Sequence, residues 1–77
     1  MIEKKIFLCL KTIFEKEKIP KKITDLEYGD FKSWDSLAHL NLLLTIEKKF
    51  KIKFSLNEMY ELKRVKEIIK VIEKKQK

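Results

Sequence analysis

Ser36 is the residue best placed to do chemistry in this 77-residue chain. It lies between Asp35 and Leu37, soon after the single glycine, Gly29, and opens an eleven-residue stretch from Ser36 to Ile46 without one Asp, Glu, Lys or Arg. A hydroxyl at the start of an apolar helix can cap backbone amides or carry a group attached by another protein. A third use pairs it, as a nucleophile, with His39 three residues on. Nothing in the wording supports that use: there is no strained nucleophile elbow, and Asp35, adjacent in sequence, is poorly placed to orient the imidazole. Capping and attachment are compatible, because the unpaired N–H groups and positive dipole end of a helix favour an oxygen or an anion.

Four helices are expected to position that serine. Ile2, Ile6, Cys9, Leu10 and Ile13 recur at helical spacing, with Lys4, Lys5, Lys11 and Glu15 largely opposite, which predicts a helix over residues 2 to 17, ended by Pro20. A long loop follows from Lys18 to about Trp34, in which Ile23, Leu26, Tyr28, Phe31 and Trp34 are spaced irregularly. Loops of this length are uncommon without a function or side chains of their own to pack, so this one is expected to fold across the bundle with Trp34 as an anchor.

The second helix is predicted from about Ser36 to Lys49. At 100° per residue, Leu42, Leu43, Ile46 and Phe50 share one sector, Leu37, Leu40 and Leu44 the next, and Ala38, Asn41, Thr45, Lys48 and Lys49 the polar arc. Short helices can cover one apolar sector fully, so a leucine ridge beside Ser36 should stay partly exposed. Phe50-Lys51-Ile52-Lys53-Phe54 alternates like a strand but has no partner strand, and reads as a connector that tucks its apolar residues inward. Ser55-Leu56-Asn57-Glu58 fits a capping box opening a short helix to about Leu62. Val65, Ile68, Ile69 and Ile72 make the stripe of the last helix, and Lys70, Lys74, Lys75 and Lys77 complement its negative end.

Composition bounds the rest. A chain of this length forms one domain, over 1 to 77, and buries only roughly 60% of its unfolded surface, leaving no room for an enclosed multilayer active site. An apolar fraction of 44% with one Gly and one Pro favours a compact all-helical fold. Cys9 has no intrachain partner and falls in the buried stripe of the first helix, as a small core residue. One His and one Cys without ligand spacing argue no metal site. Charges break the short apolar run Ile6 to Leu10, so neither a secretory signal nor a membrane span is expected, and the location that follows is cytoplasmic.

The net charge of +7 would by itself suit nucleic acid. Its distribution does not. Residues 1 to 22 carry seven lysines against three glutamates, residues 48 to 77 carry eleven basic against four acidic residues, and residues 23 to 47 set Lys32 against Asp25, Glu27, Asp30, Asp35 and Glu47. The one acidic region surrounds Ser36, whereas a nucleic-acid reader puts its strongest positive field at its most distinctive surface.

Asp35-Ser36-Leu37, followed by Leu40, Leu42, Ile46 and Phe50, a short helix near 56 to 62 and the run Val65 through Ile72, resembles the acyl carrier protein family over nearly the whole chain. That resemblance implies a small four-helix bundle with a long loop between helices 1 and 2 and a short third helix. It also implies a covalent 4'-phosphopantetheine arm on Ser36, installed from coenzyme A by a Mg2+-dependent phosphopantetheinyl transferase. The protein is then not an enzyme and has no catalytic residue of its own: acyl groups ride as thioesters on the arm's thiol and are presented to acyl-loading and acyl-transfer enzymes. By resemblance Asp35 and Leu37 serve transferase recognition, and a monomer is expected.

The second helix departs from the acidic pattern of many fatty-acid carriers, since it offers Ala38, Asn41, Glu47, Lys48 and Lys49. A dedicated partner docking on Leu37, Leu40, Asn41, Leu44 and Glu47 is therefore expected. The wording Trp34 to Leu40 is similar to discrete carriers of surface-polysaccharide or other specialised pathways; fatty-acid, lipid and polyketide-type routes are also open. Peptidyl and alanyl carriers share the architecture and stay open as alternatives. So do two readings of another class, a basic helical nucleic-acid binder and an adaptor that docks through the leucine ridge. His39 is expected at the mouth of an acyl pocket or on a partner surface.

Overall fold

The computed structural model describes residues 2–76, which form four helices, α1 (Ile2–Ile13), α2 (Ser36–Phe50), α3 (Leu56–Glu61) and α4 (Val65–Lys75). Met1 and Lys77 lie outside the described residues, Lys77 being one of the cations expected at the end of α4. One core joins all the segments. Ile6, Cys9 and Leu10 of α1 meet Leu42, Leu43, Ile46 and Phe50 of α2 and Val65, Ile68 and Ile72 of α4. These positions repeat at three and four residues, so α1, α2 and α4 each turn one stripe inward.

α1 ends earlier than its pattern predicts. It stops at Ile13 and not at residue 17, well before Pro20. The positions that would continue the stripe are Lys16 and Glu17, so another turn of helix would bury nothing. Phe14 is instead buried against the loop aromatics, with its ring centroid 5.4 Å from that of Phe31 and 5.1 Å from that of Trp34.

The long loop is folded down across the bundle. Ile23, Leu26 and Trp34 are buried, and Ile19, Tyr28 and Phe31 pack against the core from its edge. Its backbone is stitched to the linker between α3 and α4. Tyr28 N–H donates to Lys63 O at 2.7 Å and Val65 N–H to Leu26 O at 3.0 Å, around an antiparallel bridge of Glu27 with Arg64. The same pair adds an Arg64 Nε to Glu27 Oε1 contact of 3.2 Å. Glu27, Tyr28, Gly29 and Asp30 form the tight turn beside this bridge, where Gly29 takes φ +93°, a conformation that side chains resist.

The connector after α2 behaves as expected. Phe50 and Phe54 are buried and Ile52 is half-buried, with no strand formed. Lys51 takes the left-handed conformation (φ 55°) that ends α2. Glu47 then closes the turn, its Oε2 accepting from the Phe54 amide at 2.7 Å. α3 starts with the full capping box: Ser55 Oγ accepts from Glu58 N–H at 3.1 Å, and Glu58 Oε1 accepts from Ser55 N–H at 2.8 Å. Lys75 of α4 reaches the same Glu58 oxygen at 3.0 Å.

Candidate functional site

Ser36 occupies the first turn of α2 but does not cap it. Asp35, in extended conformation, is the N-cap, and its Oδ1 accepts from Ala38 N–H at 2.9 Å. The reading of Ser36 as a cap is thereby corrected. Asp35 has the backbone geometry of a cap, and its carboxylate serves a helix N-terminus better than a hydroxyl because it also carries charge toward the positive dipole end. Ser36 is left exposed, with its hydroxyl 3.3 Å from the Tyr28 hydroxyl, a long and weak contact.

Beside it stand the exposed leucines. Leu37 is 67% exposed, Leu40 41% and Leu44 40%, on one line along α2, while Leu42, Leu43 and Ile46 on the adjacent sector are fully buried. Asn41 is also exposed. Glu47 is half-buried and partly engaged by the Phe54 amide, which leaves it less available to a partner than the other four. Across from the ridge, Leu56 and Tyr60 of α3 are almost wholly exposed.

Between α2 and α3 lies an open cleft of about 230 Å³, lined by Tyr28, Ser36, His39, Leu40, Met59, Tyr60 and Lys63. Its rim mixes hydroxyls and the Lys63 ammonium with apolar Leu40 and Met59. Lys63 Nζ sits 5.7 Å from the Tyr28 ring centroid. The cleft therefore brings together the serine, a phenol and a cation that are separated in sequence, an assembly with no periodic signature.

His39 closes the cleft's inner side and is only 7% exposed. Trp34 Nε1–H donates to its Nδ1 at 3.0 Å, and its Nε2 lies 2.7 Å from Leu62 O. An indole only donates and a carbonyl only accepts, so the imidazole is neutral with its proton on Nε2. Burial pushes its pKa below the ordinary 6.5, with the Leu62 carbonyl opposing and Lys63 adding to the fall. Both nitrogens are committed, so His39 is not free to act as a base toward Ser36. Trp34 is the buried loop anchor expected, and its ring lies 6.1 Å from that of His39. Sequence spacing offered no sign of this bridge, since Leu62 is 23 residues from His39.

Cys9 is buried in the core, where loss of water raises its thiol pKa and holds it as an inert thiol. Among the described residues no cluster of three or more His, Cys, Asp or Glu side chains could hold a metal ion. No described helix is long and apolar enough to cross a membrane. Scans against known protein families, characterised proteins and solved structures find no match for this chain.

Proposed function

We propose that the protein is a carrier of the acyl carrier type, with the Ser36 hydroxyl as the attachment point of 4'-phosphopantetheine. The observation that carries this reading is the uncommitted hydroxyl of Ser36 on the first turn of α2, freed from capping by Asp35 and flanked by an exposed leucine ridge. A serine at the cap itself spends its oxygen on an amide, as Ser55 does.

The residues present fit the group. A phosphodiester on Ser36 sits where first-turn amides and the helix dipole favour negative charge, and Lys63 lines the same cleft. Asp35 would repel that phosphate, so its place in this reading is to hold the helix end and to be recognised, with Leu37, by the transferase. In attachment, Ser36 Oγ replaces adenosine 3',5'-bisphosphate on the phosphorus of coenzyme A, and the serine proton leaves to a base. When bound, the arm supplies a thiol that holds acyl groups as thioesters. Leu37, Leu40, Asn41 and Leu44, with what remains free of Glu47, then offer the docking surface for loading and transfer enzymes.

Incubation with coenzyme A, Mg2+ and broad-specificity phosphopantetheinyl transferases tests this directly by intact mass. Wild type should gain one arm and Ser36→Ala none, with its helical circular dichroism unchanged. A wild-type mass that stays constant across several transferases would remove the basis of the proposal.

A further inference from the structure

Resting on that reading, we infer that the group carried by this protein stays outside the bundle, and is therefore a short or polar acyl or aminoacyl group and not a long alkyl chain. The way inward from Ser36 is shut. The cleft ends at His39, and the imidazole is fastened on one side to Trp34 and on the other to Leu62 O, tying loop, α2 and the α3–α4 linker together. The core residues Leu42, Leu43, Ile46, Val65, Ile68 and Ile72 are wholly inaccessible and none of them lines the cleft.

For an alkyl chain to enter, His39 must give up two hydrogen bonds in a buried setting and the indole must find another acceptor, a penalty paid before any apolar contact is made. The cleft itself offers little shelter. At about 230 Å³, against roughly 150 Å³ for a cavity that takes a benzene ring, it accommodates roughly nine non-hydrogen atoms. The arm's own first atoms compete for that space. Its rim, with Tyr28, Ser36 and Lys63, suits hydrogen-bonding groups better than methylenes. A long chain would remain in water, where its apolar surface gains nothing from the carrier. A hydroxyacyl, aminoacyl or two- to four-carbon group has little surface to hide. His39 is thus a specificity-determining residue that acts by closing the floor.

The test loads Ser36 from a series of acyl-coenzyme A donors (acetyl, 3-hydroxybutyryl, octanoyl and dodecanoyl), confirms each product by mass, and measures Tm and the methyl NMR signals of Leu42, Leu43, Ile46 and Ile68. The expected result is a Tm constant within about 2 °C across the series and core methyl signals that do not move. Burial of several methylenes would raise Tm by well over 4 °C, and such a rise with chain length, or shifted core methyls, overturns the inference while leaving the carrier reading intact. Absence of any mass gain overturns both. His39→Leu keeps bulk but loses both hydrogen bonds, and Trp34→Phe removes only the indole donor; whichever of them folds should acquire a Tm that rises with chain length. A flat series in the folded variant overturns the assignment of the lock to His39.

Discussion

Two serines stand at helix amino termini in this protein, and they are used in opposite ways. Ser55 gives its hydroxyl to the Glu58 amide and its own amide to the Glu58 carboxylate, completing a reciprocal cap. Ser36 sits one position further in, Asp35 takes the capping work, and the Ser36 hydroxyl is left facing solvent with a single long contact to Tyr28. The surroundings differ in the same direction. Ser55 follows the buried Phe54 on a structural connector, whereas Ser36 borders exposed Leu37 and a cleft. The lesson is that a serine near a helix start is read by its offset from the cap: at the cap it stabilises, and one residue later it is available.

This contrast can be broken most directly at Asp35. Asp35→Ala removes the cap of the longest helix and is expected to cost about 1 to 2 kcal/mol in urea unfolding, while Ser36 remains in place. Ser55→Ala should cost about 1 kcal/mol and leave transfer of the arm to Ser36 undiminished. Ser36→Ala is expected to be the smallest in stability, within about 0.5 kcal/mol of wild type, while removing the proposed attachment point. If Ser36→Ala proves as destabilising as Ser55→Ala, the two serines are alike and the argument for an uncommitted hydroxyl fails.

Acid titration sharpens the same comparison. The Ser55 amide, followed by Lys75, holds the Glu58 carboxyl below its ordinary value of 4.5. Its contribution is full above 4.5 and lost as pH falls through the lower folded value. Near Ser36 the titrating group is His39, whose folded pKa lies below 6.5 because burial disfavours the charge. The unfolded chain binds that proton first, so stability full above 6.5 declines as pH falls from there toward the folded value. Two successive losses are therefore expected on acidification, and His39→Gln should remove the earlier one. A single acid transition in wild type, unmoved by that substitution, would show that the imidazole is not held neutral in the fold.

Much of the architecture was legible in the sequence because it is periodic or local. The stripe of Val65, Ile68 and Ile72, the Ser55 capping box and the split of α2 into buried and exposed leucine sectors each follow from spacings within one element. The aromatic loop and the absence of a strand at Phe50 to Phe54 were legible from what lacked a partner. The end of α1 is less legible, because Pro20 marks where a helix must stop, whereas the apolar stripe already runs out at Lys16 and Glu17. Around Ser36 the sequence indicated the residue and its ridge. It could not indicate Tyr28 or Lys63, which arrive from other segments, nor the coupling of His39 to Leu62, because no local rule relates residues so far apart.

The stitch between the loop and the α3–α4 linker bears on how the protein comes together. α1 and α2 are local structures, but Tyr28 must find Lys63 and Leu26 must find Val65 after two helices have been placed between them. Closing so long a segment costs chain entropy that its contacts recover only once both ends are ordered. The face beside Ser36 thus rests on contacts between segments far apart in the chain, whereas the helices beneath it rest on local ones.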